Sequence, residues 1–256
     1  MDLGISGRAC VVTGASRGIG LATARALAAE GARVLLVARS EVEDLPPGAA
    51  SLAADVTDPG AAERIVAECS DRFGQLDILV NNAGTSRSRS LDELTDDEWD
   101  EQWQLHVMAS MRLMRVAAPG MASRGWGRIV NVGSSSGKRP SLSNAAYSVT
   151  KAAQHALSRV FADTYASDGV LVNAVAPGPV DTGLWLADGG LADQAAERAG
   201  VSRDEALEAA RGKIPLGRFG SPEEIADVIA FLCSERAGNV TGATWSADGG
   251  AVPLFI

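Results

Sequence analysis

The chain has little cysteine and little histidine, and both shortages exclude kinds of protein. Three cysteines, Cys10, Cys69 and Cys233, and two histidines occur among 256 residues. The cysteines are odd in number, far apart, and without a cysteine or histidine at metal-ligand spacing. We therefore expect buried free thiols, and neither a disulfide framework nor a metal site.

The chain also lacks an excess of positive charge and any long apolar run. Its formal net charge is -9 at pH 7, which leaves no basic field to bind nucleic acid or an anionic membrane. No run of about 18 apolar residues is present to span a bilayer, and because the residues after Met1 lack the basic start and cleavage site of a secretory signal, no leader is expected. These absences predict a cytoplasmic location, with no nucleic-acid or membrane partner.

Short apolar runs alternate with longer amphipathic stretches along the chain. Runs rich in valine, isoleucine and leucine predict strands at Ala9 to Thr13, Arg33 to Val37, Leu76 to Val80, Arg128 to Val132 and Val170 to Val175. Helical patterns lie at about Gly18 to Glu30, Pro59 to Phe73, Asp96 to Met121, Tyr147 to Ser167 and Pro222 to Ser234. The alternation predicts an α/β fold, a Rossmann-type doubly wound parallel sheet in a single domain over residues 1–256.

The segment from Asp181 to Pro215 departs from this alternation and contains one predicted helix, at Ser202 to Gly212. It is too short for a domain. An insertion at the carboxyl edge of a sheet is typical of a lid or substrate wall, with a surface excursion as the alternative. Its apolar candidates to line a substrate pocket are Leu184, Trp185, Leu186 and Leu191.

The first predicted strand runs into a glycine-rich loop and then a helix. Glycines at 14, 18 and 20 allow close backbone approach, so a pyrophosphate can sit on the unpaired amides of the helix N-terminus. A tight packing turn is the alternative, but the strand before the loop and the helix after it favour a dinucleotide site. The loop residues assigned to the cofactor are Gly14, Ser16, Arg17, Gly18, Ile19 and Gly20.

The end of the second strand indicates which dinucleotide binds. Many such sites place a carboxylate here for the adenosine ribose, whereas this chain has Ala38 followed by Arg39. Two guanidinium groups, Arg17 and Arg39, suit a 2′-phosphate, unless either is only a solvated surface charge. The sequence favours NADP(H) over NAD(H).

Tyr147 and Lys151 are four residues apart, which places them on one face of a helix. Reduction of a carbonyl needs a proton on oxygen as hydride reaches carbon, and a phenol of ordinary pKa is a poor proton donor at neutral pH. A neighbouring ammonium would lower that pKa. The pair alone is common, so its interpretation depends on the rest of the sequence.

Taken together, these motifs resemble the short-chain dehydrogenase/reductase family from Thr13 to Gly250. The resemblance is carried by an ordered set of matches: the Thr13–Gly20 loop, Asp55-Val56, Asn81-Asn82-Ala83-Gly84, Ser134, Tyr147 with Lys151, Pro177-Gly178 with Thr182, and Asp248-Gly249-Gly250. Within the family the set is most similar to 3-oxoacyl-thioester reductases. It implies hydride transfer between a nicotinamide and a ketone or secondary alcohol.

The resemblance also implies roles for single residues. Tyr147 would be the general acid or base, Lys151 would hold the nicotinamide ribose, and Ser134 would bind the substrate oxygen. The cofactor contacts implied beyond the glycine loop are Asp55 and Val56 at the adenine, Asn82, Ala83 and Gly84 beside the cofactor, and Pro177, Gly178, Val180 and Thr182 at the carboxamide and phosphate.

One residue departs from the family pattern. Where members carry an asparagine that supports a proton-supplying water chain, this sequence has His106. The histidine either replaces the asparagine structurally or joins the relay as a titrating catalytic group. His155, on the same helical stripe as Lys151, is expected to serve packing or an interface.

The family resemblance predicts a homotetramer built through the two long helices and the C-terminal segment. Met108, Met111 and Met114 with Val160, Phe161 and Tyr165 are the candidate interface, although the same periodicity fits a core. The apolar tail Val252 to Ile256 is expected to dock on a neighbouring subunit. Two other functions stay open: an NAD-dependent alcohol dehydrogenase, and a cofactor-binding regulator with little turnover.

Overall fold

Seven parallel strands form one sheet in the computed structural model, which describes residues 2–253. The strands are β1 (Ala9–Thr13), β2 (Arg33–Ala38), β3 (Ala50–Ala53), β4 (Ile78–Asn81), β5 (Gly127–Val132), β6 (Val170–Pro177) and β7 (Thr244–Ala247). Their order across the sheet is β3-β2-β1-β4-β5-β6-β7. Because the chain turns one way after β1 and the other way after β4, a crevice opens at the carboxyl ends of these two neighbours.

Helices cover both faces of the sheet, as the apolar strands predicted. They are α1 (Gly18–Ala29), α2 (Ala61–Phe73), α3 (Asp96–Trp103), α4 (Ala109–Ser123), α5 (Ala145–Tyr165), α6 (Gly183–Leu186), α7 (Leu191–Ala199), α8 (Arg203–Arg211) and α9 (Pro222–Leu232). The start of α9 follows from local chemistry: the Ser221 hydroxyl accepts from the Glu224 amide at 3.2 Å, and the Glu224 carboxylate accepts from the Ser221 amide at 2.8 Å. The doubly wound α/β fold is confirmed.

Several element boundaries differ from the prediction. The helix expected over 96–121 is interrupted by a π-helical turn at Gln104–Met108 and ends at Ser123. The edge strands β3 and β7 were not predicted as apolar runs, because their residues are mostly half-exposed. The 181–215 segment holds α6, α7 and α8, of which the sequence predicted only α8.

The core has two layers because successive strand residues point to opposite faces of the sheet. Leu35, with α2, α4 and α5, lies in one layer; Leu36, with α1 and α9, lies in the other, and both side chains are fully buried. Each aliphatic side chain buried in this way contributes about 1.5–3 kcal/mol before entropy is counted. The two layers hold the strand ends, and hence the loops at the crevice, in fixed positions.

The candidate interface residues divide between core and surface. Met114 is fully buried, which fits the core alternative for this residue, whereas Val160 is 60% exposed. Of the predicted docking tail, residues 254–256 lie outside the described part of the chain. All three cysteines are free and buried, as expected. Among residues 2–253, no helix has both the length and the apolar character that a membrane crossing requires.

Candidate active site

A cavity of about 540 Å³ lies at the carboxyl ends of the central strands. The loops after β1, β2, β3, β4, β5 and β6 form its walls, together with the first turns of α5 and α6. Every residue predicted to bind cofactor lines it, and so do Ser134, Tyr147 and Lys151. His106 is the predicted site residue that does not.

The glycine loop at one end of the cavity is tightly packed. Gly14 has a φ of +63°, and a Cβ there would lie 2.8 Å from the Cα of Ala83. A Cβ on Gly20 would lie 2.4 Å from the carbonyl oxygen of Gly14. Arg17 precedes α1 in an extended conformation, and no side chain caps the helix. The uncapped amides and the absence of Cβ atoms fit a pyrophosphate at this helix N-terminus.

Thr13 and Asn82 tie the loop after β1 to the loop after β4. The Thr13 hydroxyl accepts from the backbone amides of Asn82 (3.0 Å) and Ala83 (3.1 Å). The Asn82 side-chain amide donates to the carbonyl oxygens of Thr13 (2.9 Å) and Gly14 (3.1 Å). This bracing holds the crevice open at a fixed width. Sequence reasoning had given Thr13 no role of its own.

The same end of the cavity carries two exposed arginines and one carboxylate. Arg17 and Arg39 line it, and β2 ends at Ala38 without an acidic residue. The Asp55 carboxylate accepts from the Thr57 hydroxyl at 2.7 Å and from its amide at 2.9 Å. These hydrogen bonds, with a smaller contribution from Arg39, lower the pKa of Asp55. Asp55 is therefore held by Thr57, and the arginines are the groups free to meet an anion.

Ser134 and Tyr147 meet at the opposite end of the cavity. Ser134 follows β5, and its Oγ accepts from the Ser136 amide at 3.1 Å. Exclusion of water raises the pKa of Tyr147, and the nearby Ser134 hydroxyl, which favours the charged form of the phenol, partly offsets this rise. The sequence had predicted a pKa lowered by Lys151, whereas in this structure burial raises the pKa of Tyr147.

Lys151 lies one helical turn after Tyr147 and is 3% exposed. Its Nζ lies 5.7 Å from the centre of the Tyr147 ring. The ammonium donates to the carbonyl oxygen of Val132 at 2.8 Å and to Oε1 of Gln154 at 3.0 Å. Burial lowers the pKa of Lys151 to about 7. The lysine can therefore change its protonation state near neutral pH.

His106 lies in the π-helical turn and is fully buried beneath the cavity floor. Its Nε2 accepts from the Thr85 amide at 3.3 Å, and its Nδ1 lies 2.9 Å from Oγ1 of Thr150. Because the Thr150 hydroxyl donates to the Tyr147 carbonyl at 2.9 Å, it accepts from Nδ1, which fixes one neutral tautomer. Burial, and then the charge of Lys151, hold the pKa of His106 well below its ordinary value.

Two residues that follow Lys151 also contact the site. Gln154 accepts from the lysine, and the ring of His155 lies against Gly133 and Gly137, where Nε2 accepts from the Ser134 amide at 3.4 Å. The sequence analysis had not considered Gln154, and had assigned His155 to packing or an interface. Their spacing of three and four residues from Lys151, on one helix face, was the available signal.

The 181–215 segment supplies one apolar wall. Leu184, Trp185 and Leu191 line the cavity, whereas Leu186 does not, which corrects that prediction. Trp185 also packs edge-on against Phe219, with ring centres 4.9 Å apart. Trp185 therefore packs within the insertion and also faces the cavity.

Comparisons with known proteins show which family the chain belongs to. A family model described as enoyl-(acyl carrier protein) reductase matches residues 14–252. The 3-oxoacyl-[acyl-carrier-protein] reductase of Vibrio cholerae is 36% identical over 254 residues, covering 97% of this chain and 98% of the relative. Sorbitol dehydrogenase of Cereibacter sphaeroides is 33% identical over 253 residues, covering 96% and 98%.

A solved structure extends the likeness to the whole fold. L-sorbose reductase from Gluconobacter frateurii, complexed with NADPH and L-sorbose, superposes with a TM-score of 0.91 and 37% identity over 100% of both chains. Relatives above 30% identity therefore match almost end to end. The chain belongs to the short-chain dehydrogenase/reductase family and is an NAD(P)-dependent oxidoreductase.

Proposed function

We propose that the protein is an NADP(H)-dependent oxidoreductase of ketones and secondary alcohols in which Tyr147 moves the proton. The observation that carries this proposal is that Ser134, Tyr147 and Lys151 line the same cavity as the glycine loop. A bound nicotinamide supplies or accepts the hydride. The single domain over residues 1–256 is part of the same proposal.

Side chains of the protein carry out the proton transfer. In reduction, the Ser134 hydroxyl donates to the carbonyl oxygen and orients it, and the Tyr147 hydroxyl transfers its proton to that oxygen. A phenolate remains on Tyr147, and the ammonium of Lys151 stabilises it and supports its reprotonation. In oxidation the same groups work in reverse, and Tyr147 takes the proton. Asn82, Ala83 and Gly84 form the cavity wall beside the cofactor.

The choice of NADP(H) rests on charge at the adenosine end. Arg17 and Arg39 present guanidinium groups there, and β2 ends without a carboxylate to hold an unphosphorylated ribose. Gly14, Gly18 and Gly20 would hold the pyrophosphate, and Asp55 with Val56 would flank the adenine. At the other end, the residues that would hold the nicotinamide half are Pro177, Gly178, Val180, Thr182 and Lys151.

We assign His106 a structural role within this mechanism. Both ring nitrogens already have partners, the imidazole is neutral, and the side chain does not reach the cavity. It links the Thr85 loop to the helix that carries Tyr147. A proton relay through His106, the other role considered for this residue, would require one of these hydrogen bonds to break. The structural role is therefore favoured over the catalytic one.

The 181–215 segment is proposed as a lid over a substrate with an apolar portion, because Leu184, Trp185 and Leu191 face the cavity. A 3-oxoacyl thioester satisfies this requirement, and so do other ketones. The homotetramer and the cytoplasmic location remain predictions. Light scattering checks the first, with exposed Trp103 and Val160 as interface candidates.

A two-stage experiment tests the proposal. Fluorescence titrations with NADPH and NADH are followed by a panel of carbonyl substrates that contains an acetoacetyl thioester, L-sorbose and simple ketones. Tighter binding of NADPH, with its oxidation by at least one ketone, is the expected result. Binding without oxidation of any substrate would favour a cofactor-binding regulator, and preference for NADH would favour an NAD-dependent alcohol dehydrogenase.

A further inference from the structure

The ammonium of Lys151 is held on the side away from the cavity by a chain of two side chains. Its Nζ donates to Oε1 of Gln154 at 3.0 Å, and Nε2 of Gln154 donates to Oγ of Ser110 at 2.9 Å. Gln154 is 1% exposed and Ser110 5% exposed. Because Ser110 belongs to α4, the chain anchors the lysine to a helix other than its own.

No carboxylate pairs with Lys151 among the described residues. The titratable groups around it are Tyr147 and His155 on α5, and His106 in the π-helical turn. The strand β5 contributes the Val132 carbonyl oxygen, at 2.8 Å. The positive charge is therefore stabilised by two neutral carbonyl dipoles, one from the backbone and one from Gln154.

Gln154 and Tyr147 lie on different sides of Lys151. Tyr147 precedes Lys151 by four residues and faces the cavity, whereas Gln154 follows it by three residues and contacts α4. A buried ammonium that loses an acceptor loses stabilisation of its charged form, since water cannot replace the acceptor. Without Gln154, Lys151 would release its proton more readily and its Nζ would be less firmly placed.

We propose that Gln154 is a positioning residue of the reaction, which through Ser110 keeps the ammonium of Lys151 charged and aligned beside Tyr147. The inference rests on the proposed function of the Tyr147–Lys151 pair. A merely structural glutamine between two helices would be replaceable by an apolar residue of similar size with no change in the kinetics.

Two substitutions with opposite expected effects test the inference. Gln154→Met removes the acceptor at nearly constant volume, and Gln154→Glu keeps an acceptor and adds negative charge. Ser158→Ala is the matched control, because Ser158 is buried one turn further along α5 and its hydroxyl contacts Asn131 and the backbone carbonyl of Gln154, but neither Lys151 nor the Gln154 side chain. The pH dependence of kcat is measured with NADPH and the best ketone of the panel, together with the KM for the ketone.

In the wild type we expect kcat to fall at high pH as Lys151 loses its proton. In Gln154→Met this fall should begin about one pH unit lower than in the wild type, and in Gln154→Glu about one pH unit higher or more. The KM for the ketone should change less than threefold in both, and Ser158→Ala should follow the wild type. Superimposable profiles for all four proteins would overturn the inference.

A second measurement keeps the test independent of turnover. The dissociation constant of NADPH, followed across the same pH range, should shift in the same two directions, because the lysine is proposed to hold the nicotinamide ribose. If the wild type binds NADPH but reduces no ketone, the proposed function fails, and these binding profiles still decide the role of Gln154. If Gln154→Met does not fold, the upward shift in Gln154→Glu decides it, and its absence overturns the inference.

Discussion

Acid should destabilise this protein through one histidine that supports the active-site serine. The ring of His155 is mostly buried against Gly133 and Gly137, and its Nε2 accepts a hydrogen bond from the Ser134 amide. Burial, and then the charges of Lys151 and Lys138, lower the pKa of His155 to about 4. The substitution His155→Gln removes the titrating ring and retains a polar side chain at this position.

The magnitude follows from the difference between the folded and unfolded states. Above pH 6.5, the ordinary value, both states are neutral and His155 gives no pH dependence. As the pH falls from there to about 4, the unfolded chain takes up a proton that the folded protein excludes, so the free energy of unfolding decreases. The loss attributable to His155 is about 2 kcal/mol between pH 7.5 and 5, and about 3 kcal/mol once both states are protonated.

Urea unfolding, followed by tryptophan fluorescence at equal protein concentrations, measures this loss at pH 7.5 and pH 5. The wild type should lose about 2 kcal/mol more than His155→Gln over that interval. His106 is present in both proteins, so its own contribution cancels in the comparison. Equal losses in the two proteins would refute the reasoning, because His155 would then titrate alike in the folded and unfolded states.

Four further outcomes are expected. Tyr147→Phe should reduce kcat by about 10²–10⁴ while the dissociation constant of NADPH changes less than threefold, as single-turnover and titration experiments can measure; a kcat close to that of the wild type would rule out the proposed proton donor. Arg39→Ala should weaken NADPH about 10- to 100-fold and leave NADH unchanged, whereas the exposed Arg64→Ala should leave both unchanged; equal weakening of both cofactors would contradict a 2′-phosphate contact. His106→Asn should give a pH–rate profile superimposable on that of the wild type, because the imidazole is neutral with both nitrogens engaged; loss of an ionisation from the profile would instead support the relay. Gly20→Ala should weaken NADPH at least tenfold in titrations, because the added Cβ would lie 2.4 Å from the Gly14 carbonyl oxygen; unchanged affinity would mean that the loop yields without cost.

The sequence predicted the centre of the sheet better than its edges. Strands such as β1 and β2 are apolar at nearly every position because helices cover both faces, and this pattern is visible in the sequence. The edge strands β3 and β7 are half-exposed and carry no such pattern. The π-helical turn at Gln104–Met108 likewise has no signal in the local sequence.

The short-range motifs of the site could also be found in the sequence, because local geometry dictates their spacing. Two of them depend only on residues that are close together in the sequence: the glycine loop between a strand and a helix, and the tyrosine four residues before a lysine. Even so, the expected lowering of the Tyr147 pKa was wrong for this structure. Burial of the phenol, which spacing does not reveal, exceeds the favourable influences on its charged form.

The sequence by itself thus determined the fold class, the reaction type and the residues around the cavity, with Tyr147 and Lys151 among them. The tertiary structure decided what surrounds these residues: that Gln154 and Ser110 hold the lysine, that His155 holds the loop of Ser134, and that both nitrogens of His106 are engaged. The physical reason is that a hydrogen bond between side chains on different elements depends on how helices and strands pack. Burial depends on the same packing, and it sets the pKa values on which the proposed chemistry relies.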